Sequence, residues 1–183
     1  MDLRKRSMML AATVVVGLLA ACGGDGGDEG VAPDAFAADI CGAASDWVAS
    51  IQERAGAIQT DFTSGDPEQG REVLGKFLDD VIRDTDDLIA QVDEAGTPDV
   101  DGGEEFADDL RAAFEESKEI LVDVRADVED LPDDPQQFAE AGQQMGVSIQ
   151  EAFTEVSSSF EEPESDELRE AFEGEESCNE ITG

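Results

Sequence analysis

Residues 106–131 read FADDLRAAFEESKEILVDVRADVEDL and carry the clearest structural signal in the chain. Apolar or small residues recur at intervals of three and four, which places them on one face of an α-helix. The positions between them are mainly charged, as expected for the solvent-facing side of such a helix. The apolar face consists of Phe106, Leu110, Phe114, Ser117, Leu121, Val124, Val128 and Leu131.

Three more segments repeat this periodicity, and convincing alternating patterns typical of β-strands are missing. The first segment presents Phe36, Ile40, Ala44, Trp47, Ile51, Ala55, Ile58 and Phe62; the second presents Leu74, Phe77, Leu78, Val81, Ile82, Leu88, Ile89 and Val92; the last presents Phe138, Ala141, Met145, Ile149, Ala152, Val156 and Phe160. The folded part is therefore predicted to be all-α.

The second and fourth helices share a start signal, in which Asp caps the helix, Pro suits its first turn and Gln can reach back in a capping box. The signal occurs at Asp66-Pro67-x-Gln69 and at Asp134-Pro135-x-Gln137. Short connections between long helices favour antiparallel neighbours. We therefore predict an up-down-up-down four-helix bundle, followed after Pro163 by a short C-terminal helix that carries Leu168 and Phe172.

The N-terminus has the layout of a secretory signal peptide, with a cationic cluster at residues 4–6 and an apolar run from Met8 to Leu19. The run is too short to cross a bilayer, which takes roughly 20 apolar residues. The sequence that follows, Leu19-Ala20-Ala21-Cys22, resembles the lipobox of bacterial lipoproteins. The resemblance implies cleavage before Cys22, a diacylglyceryl group on its thiol, and a protein anchored on the extracytoplasmic face of the cell membrane.

If Cys22 carries lipid, Cys41 and Cys178 remain as a pair in an oxidising compartment, where disulfides form and persist. We expect these two cysteines to form a disulfide. The alternatives are two free thiols or a metal site, but two sulfurs in a chain without histidine make a poor zinc site. In the predicted bundle the end of the fourth helix lies beside the start of the first, where such a bridge would have to form.

The chain divides into three predicted parts: a lipoprotein signal peptide (1–21), a flexible Gly- and Asp-rich tether (22–33) and a helical domain (34–183). Excluding the signal peptide removes three basic residues and Asp2, so that 8 basic residues remain against 46 acidic ones. Nucleic acid is therefore excluded as a partner, since its phosphates are bound by basic surfaces. Such acidity is also typical of salt-adapted proteins.

Catalytic chemistry has few candidates, because the chain contains neither His nor Tyr. Paired carboxylates can act as acid and base, but the pairs here fall between stripe positions, where solvent-facing charge is expected. These pairs are Asp79 and Asp80, Asp86 and Asp87, Asp108 and Asp109, and Glu115 and Glu116. We predict no catalytic residue and no cofactor, and Trp47 is expected to pack in the core.

Calcium is the best cation candidate, because it accepts carboxylate oxygens in flexible geometry. The loop that starts at Asp99 superficially resembles an EF-hand, but its fifth position is Gly103 and its sixth, which should be glycine, is Glu104. No specific metal site is therefore predicted.

The overall design, with one cysteine early in the first helix and another near the C-terminus, resembles the small acidic helical lipoproteins of high-GC Gram-positive bacteria. Most of these are uncharacterised, so the resemblance implies a location rather than an activity. We expect a non-enzymatic interaction or binding module whose acidic surface meets an envelope protein or a cationic ligand. The alternatives are a calcium-binding envelope protein and, less favoured, a carboxylate-based hydrolase.

Overall fold

The structure, a computed structural model, describes residues 30–61, 66–161, 163 and 165–182. Its described part is all-helical, as the sequence predicted, and contains no β-strand beyond an isolated bridge between Val31 and Pro98. The elements are α1 (Pro33–Asp61), α2 (Pro67–Ala95), α3 (Gly103–Asp127), a 3₁₀ turn (Val128–Asp130), α4 (Pro135–Glu161), α5 (Asp166–Gly174) and α6 (Glu176–Thr182).

The predicted caps of α2 and α4 are confirmed. The Asp66 carboxylate accepts a hydrogen bond from the backbone N–H of Glu68 at 3.0 Å. Asp134 accepts from the N–H groups of Gln136 and Gln137 at 3.1 and 3.0 Å. Each carboxylate thus satisfies N–H groups that lack a partner inside the helix and meets the positive end of the helix dipole.

The C-terminal region contains two short helices where the sequence predicted one. The backbone turns extended at Glu175, directly after Gly174, a residue that lowers helix stability. Helix formation resumes in α6, where the Glu175 carboxylate accepts a hydrogen bond from the Ser177 hydroxyl at 3.0 Å. The prediction of a single helix was wrong because this break carries no proline.

Sequential helices pack on one another, α1 on α2, α2 on α3 and α3 on α4, while α5 and α6 pack against α1. The buried side chains form two clusters. The first cluster is built by α1, the second half of α2, the first half of α3, and α5 and α6. The second is built by the first half of α2, the end of α3 with its following turn, and α4.

Edge-to-face aromatic contacts organise the first cluster. The rings of Phe36, Phe106 and Phe172 contact one another, with centroids 5.5 to 6.3 Å apart. Trp47 is 6 % exposed and meets Phe114 edge-on at 6.2 Å, which confirms its predicted place in the core. Its indole N–H donates to the buried Thr85 hydroxyl at 3.1 Å, which in turn donates within α2. This bond sets the register of α1 on α2.

The C-terminal half of α1 departs from the predicted stripe. Ala55 is exposed, whereas Ile51 and Ile58 are half-buried. The reason is that the second cluster is closed by α4 against α2 and α3, and among the described residues Ile51 is the part of α1 that packs on it. Of the other predicted stripe residues, Phe62 and the side chains of Ala152, Val156 and Phe160 lie outside the described part of the chain.

The predicted disulfide joins Cys41 in α1 to Cys178 in α6, with 4.9 Å between their Cα atoms. Both residues are buried within the first cluster. The bridge spans 137 residues, and a loop of this length lowers the entropy of the unfolded chain by an amount worth about 5 kcal/mol. It therefore fixes α6 beside the first half of α1.

Candidate functional site

A cleft opens at the end of the domain where α2 turns into α3. It has a volume of about 1080 Å³ and includes Gly30, the first described residue, in its lining. We call it the acidic cleft, since six carboxylates line it: Asp99, Asp101, Glu104, Glu105, Asp108 and Asp109.

The turn beneath the cleft is tightly built. Gly96 ends α2 with a φ of 77°, a left-handed backbone conformation that favours glycine. Gly103 starts α3 so close to the preceding chain that an added Cβ would lie 2.1 Å from the carbonyl oxygen of Pro98. Only glycine fits there. These constraints hold the acidic residues of the turn and of the first turns of α3 along one rim.

The geometry of the acidic cleft differs from that of a calcium-binding loop. Gly103 and Glu104 belong to the first turn of α3, so the chain is already helical where an EF-hand would still wrap around its ion. Among the described residues, no group of three or more Asp, Glu, Cys or His side chains is arranged to hold a metal ion. The cleft is an open, highly charged surface rather than a closed coordination sphere.

A second polar cluster, the α1–α2 ion-pair network, joins the first two helices. Arg54 of α1 reaches Asp84 of α2 at 2.7 Å, and the Ser50 hydroxyl donates to the same carboxylate at 2.9 Å. Asp80, one turn away, receives Lys76 and Arg83, each at 2.6 Å. Arg54 approaches Asp80 as well, at 3.6 Å.

Asp80 is the carboxyl group that this network perturbs most clearly. Hydrogen bonds from Lys76 and Arg83 lower the pKa of Asp80 from 3.8 to about 2, against a smaller opposing effect of burial. The same ion pair raises the pKa of Arg83. The cause is ordinary charge pairing rather than a hydrophobic pocket, so the shift marks a structural contact rather than a catalytic acid.

Every basic residue after position 21 is engaged by a carboxylate. Outside the α1–α2 network, Arg125 holds Asp79 at 2.8 Å and its own pKa is raised by that bond. Arg111 pairs with Glu115 at 3.1 Å, and this bond likewise raises the pKa of Arg111. The remaining pairs are Arg71 with Asp133, Lys118 with Asp86, and Arg169 with Asp166. Each exposed pair stabilises the fold little, but together they occupy all the positive charge.

The acid pairs weighed as catalytic candidates lie apart, along the helix surfaces. Asp80 is half-buried within the network, and the other members are exposed: Asp79, Asp86, Asp87, Asp108, Asp109, Glu115 and Glu116. The exposure of these seven carboxylates agrees with the predicted solvent-facing role.

Cys22, the predicted lipidation site, and the predicted signal peptide lie outside the described residues. Among the helices of the described part, none combines the length and hydrophobicity that crossing a membrane requires. Comparison with known proteins adds no assignment: no protein family, characterised protein or solved structure matches this chain.

Two features of the site were missed at the sequence level. The spacing of Lys76 and Asp80, four residues apart on one helix, was a readable signal for an ion pair. The attachment of Val31 to the α2–α3 turn had no such signal, because it uses backbone groups. Residues 31–33, assigned to the tether, are already ordered in the structure, with α1 beginning at Pro33.

We expect Asp80→Asn to remove an acid-sensitive part of the stability. Because the folded pKa of Asp80 lies below its ordinary value of 3.8, its ion pairs stabilise the fold fully above that pH and lose this effect as the pH falls to about 2. The difference in Tm between wild type and Asp80→Asn should therefore be constant from neutral pH to about pH 5 and vanish near pH 2.

Glu94→Gln is the matched control, since Glu94 is an exposed carboxylate on the same helix and its replacement removes the same charge. Comparing the Tm of the three proteins at each pH separates the effect of the Asp80 ion pairs from the effect of removing one negative charge. An Asp80→Asn curve parallel to that of Glu94→Gln over the whole range would contradict the assignment.

Proposed function

We propose that this chain is a non-enzymatic lipoprotein, anchored through Cys22 on the extracytoplasmic face of a membrane, whose acidic surface binds a cationic partner. The partner is an envelope protein with a basic patch or a cationic solute. The location is supported by the lipobox resemblance of residues 19–22. A disulfide between Cys41 and Cys178 accords with an exported, oxidising compartment.

The observation that carries the binding proposal is the distribution of charge. The 8 basic residues after position 21 are all held in ion pairs within the domain, whereas the same part of the sequence contains 46 acidic residues. The surplus carboxylates therefore attract positive charge from outside the chain, and the field they create speeds and selects the encounter with a basic partner.

A non-enzymatic role is favoured by the side-chain inventory. The chain has no His or Tyr to act as a general base or acid near neutral pH. Two of its three cysteines are joined in a buried disulfide, and so supply no nucleophile. The acidic cleft offers carboxylates on an open rim, without the buried, unequal pair that acid–base catalysis needs.

We infer that the four long helices adopt the up-down-up-down arrangement. The successive packing of α1 on α2, α2 on α3 and α3 on α4 supports this topology. So does the second cluster, on which Ile51 of α1 and Ile149 of α4 both pack. In such a bundle α4 runs antiparallel to α1.

The arrangement predicts nuclear Overhauser contacts between the methyl groups of Ile51 and Ile149. Methyl-labelled protein and assignment by Ile51→Val and Ile149→Val variants provide the measurement. The pair Ile82 and Ile120, from α2 and α3, serves as a positive control, because both residues pack on the same cluster. Contacts for the control pair alone would count against a closed bundle.

For the anchor, we expect Cys22→Ala to abolish attachment of lipid, because no other residue in a lipobox accepts the diacylglyceryl group. Metabolic labelling of cells with a tagged fatty acid should mark the wild type and leave the variant unmarked, either as precursor or as a released form. Cys178→Ala is the matched control, since it removes a cysteine but retains Cys22. Label on Cys22→Ala would refute the lipobox assignment.

For the acidic surface, melts of the chain from Cys22 onward separate a cationic partner from a calcium site. We expect sodium and calcium chloride to raise Tm equally at matched high ionic strength, where the Debye length falls to about 3 Å and repulsion is screened. At low salt, a lysine-rich peptide should raise the Tm of the domain saturably, at concentrations set by its affinity for the domain. This effect should be lost at high salt.

The calcium alternative predicts a different result, namely saturable stabilisation at micromolar calcium that sodium does not reproduce. The acidic cleft makes this alternative worth testing directly. The double variant Asp99→Asn, Asp101→Asn should then lose the calcium response, whereas Asp86→Asn, Asp87→Asn, two exposed neighbours in the middle of α2, should retain it.

A further inference from the structure

The structure fixes the point at which the N-terminal segment joins the folded domain. The Val31 N–H donates to the carbonyl of Thr97 at 2.7 Å, and the Asp99 N–H donates to the carbonyl of Val31 at 2.8 Å. Gly30 lies so close to this turn that an added Cβ would come within 2.9 Å of the Thr97 and Asp99 backbone. The chain therefore leaves the domain at the rim of the acidic cleft.

Covalent length then limits how far this end can lie from a lipid on Cys22. The eight Cα–Cα steps from Cys22 to Gly30 reach at most about 29 Å. The domain is longer than this, since α2 has 29 residues and measures about 43 Å. Whatever the conformation of the connecting residues, the α2–α3 end is the one attached near the membrane.

Described contacts also mark the opposite end, at the start of α2. There Asp66 caps the start of α2, and Arg71 donates to the carbonyl of Leu131 at 2.9 Å and to Asp133 at 2.7 Å. Arg71 thus holds the α3–α4 connection against the first turn of α2. Among the described residues, the N-terminal segment makes its backbone contacts at the α2–α3 turn. The Arg71 end therefore lies the full length of α2 away from Val31.

Electrostatics decides how the attached domain stands. The acidic cleft presents six carboxylates, and its described lining contains no Lys or Arg. The sides of the helices are acidic too, with each basic residue engaged in an ion pair. Within the described part of the chain, every Lys and Arg is thus paired with a carboxylate, and an anionic bilayer closer than the Debye length of about 8 Å at physiological salt meets a surplus of negative charge. A domain lying flat would hold a helix side about 43 Å long against the surface, whereas a domain standing on end holds only the α2–α3 end there, so the flat orientation suffers the greater repulsion.

We propose that the α2–α3 end faces the membrane, that its acidic cleft repels anionic headgroups, and that the domain therefore stands upright with the Arg71 end presented outward. The proposal rests on the proposed anchor at Cys22. It makes the Arg71 end and the outer helix sides, rather than the acidic cleft, the surfaces first met by a partner arriving from outside.

Paramagnetic relaxation enhancement tests this orientation. The chain from Cys22 onward is coupled through the Cys22 thiol to a maleimide lipid in nanodiscs that carry gadolinium headgroups; Cys41 and Cys178 do not react, since they form the disulfide. We expect the amide signals of Gly96 and Gly102 to lose most of their intensity, and those of Asp133 and Asp134 to keep most of theirs. Chemical coupling replaces biological lipidation, so failure of lipobox processing in cells leaves this result unaffected.

The charge of the bilayer provides the second arm. Replacing anionic by neutral lipid, or adding 1 M salt, which shortens the Debye length to about 3 Å, should increase the broadening at Gly102. The triple variant Asp99→Asn, Asp101→Asn, Asp108→Asn should do the same on anionic discs. Its control is Glu68→Gln, Glu72→Gln, Asp130→Asn, which removes equal charge from exposed residues at the Arg71 end.

Two results would overturn the proposal. Equal broadening at the two ends, or stronger broadening at Asp134, refutes the orientation. A gradient from Gly102 to Asp134 that is insensitive to lipid charge, salt and the cleft variant refutes the electrostatic stand-off.

Discussion

The disulfide between Cys41 and Cys178 is the constraint on which the arrangement of the helices depends. It holds α6, and with it α5, against α1, so that Phe172 can contact Phe36 and Phe106 across three separate segments of the chain. Without that tie, two helices of nine and seven residues would have little to retain them, since isolated helices of this length are marginal in water. The first cluster would then lose one of its walls.

A chain with this charge needs such a tie. Surplus carboxylates repel one another across the folded surface. This repulsion raises the free energy of the compact state more than that of the expanded state. The fold compensates in two ways visible in the structure. Aromatic side chains and the Trp47–Thr85 hydrogen bond concentrate the core around α1. Several of the scarce basic residues also join different helices, as with Arg54 on Asp84 and Arg125 on Asp79.

The sequence predicted the helices well because their apolar spacing and their caps are local properties. Asp66 and Asp134 needed only their own neighbours to be recognised, and the cysteine pair needed only counting and the inferred compartment. Contacts between distant segments were harder to predict from the sequence. Ala55 belongs to the same periodic stripe as Trp47, yet it is exposed, because α4 rather than α1 completes the second cluster. The acidic cleft escaped prediction for a similar reason, since Val31 joins it through backbone groups that any residue type supplies.

The position of Val31 also relates the proposed lipid anchor to the acidic surface. An acidic surface alone says only that positive charge is attracted, and a lipid anchor alone says only where the protein resides. Because Val31 is bonded to the α2–α3 turn, the proposed anchor and the acidic surface are oriented relative to each other: in the proposed arrangement, carboxylates lie both between the domain and the membrane and along the sides of the helices. The proposed repulsion from an anionic membrane and the proposed attraction of cationic partners then arise from the same surplus of carboxylates. Salt weakens both together, so an interaction that survives high salt would have to depend on a surface other than the acidic one.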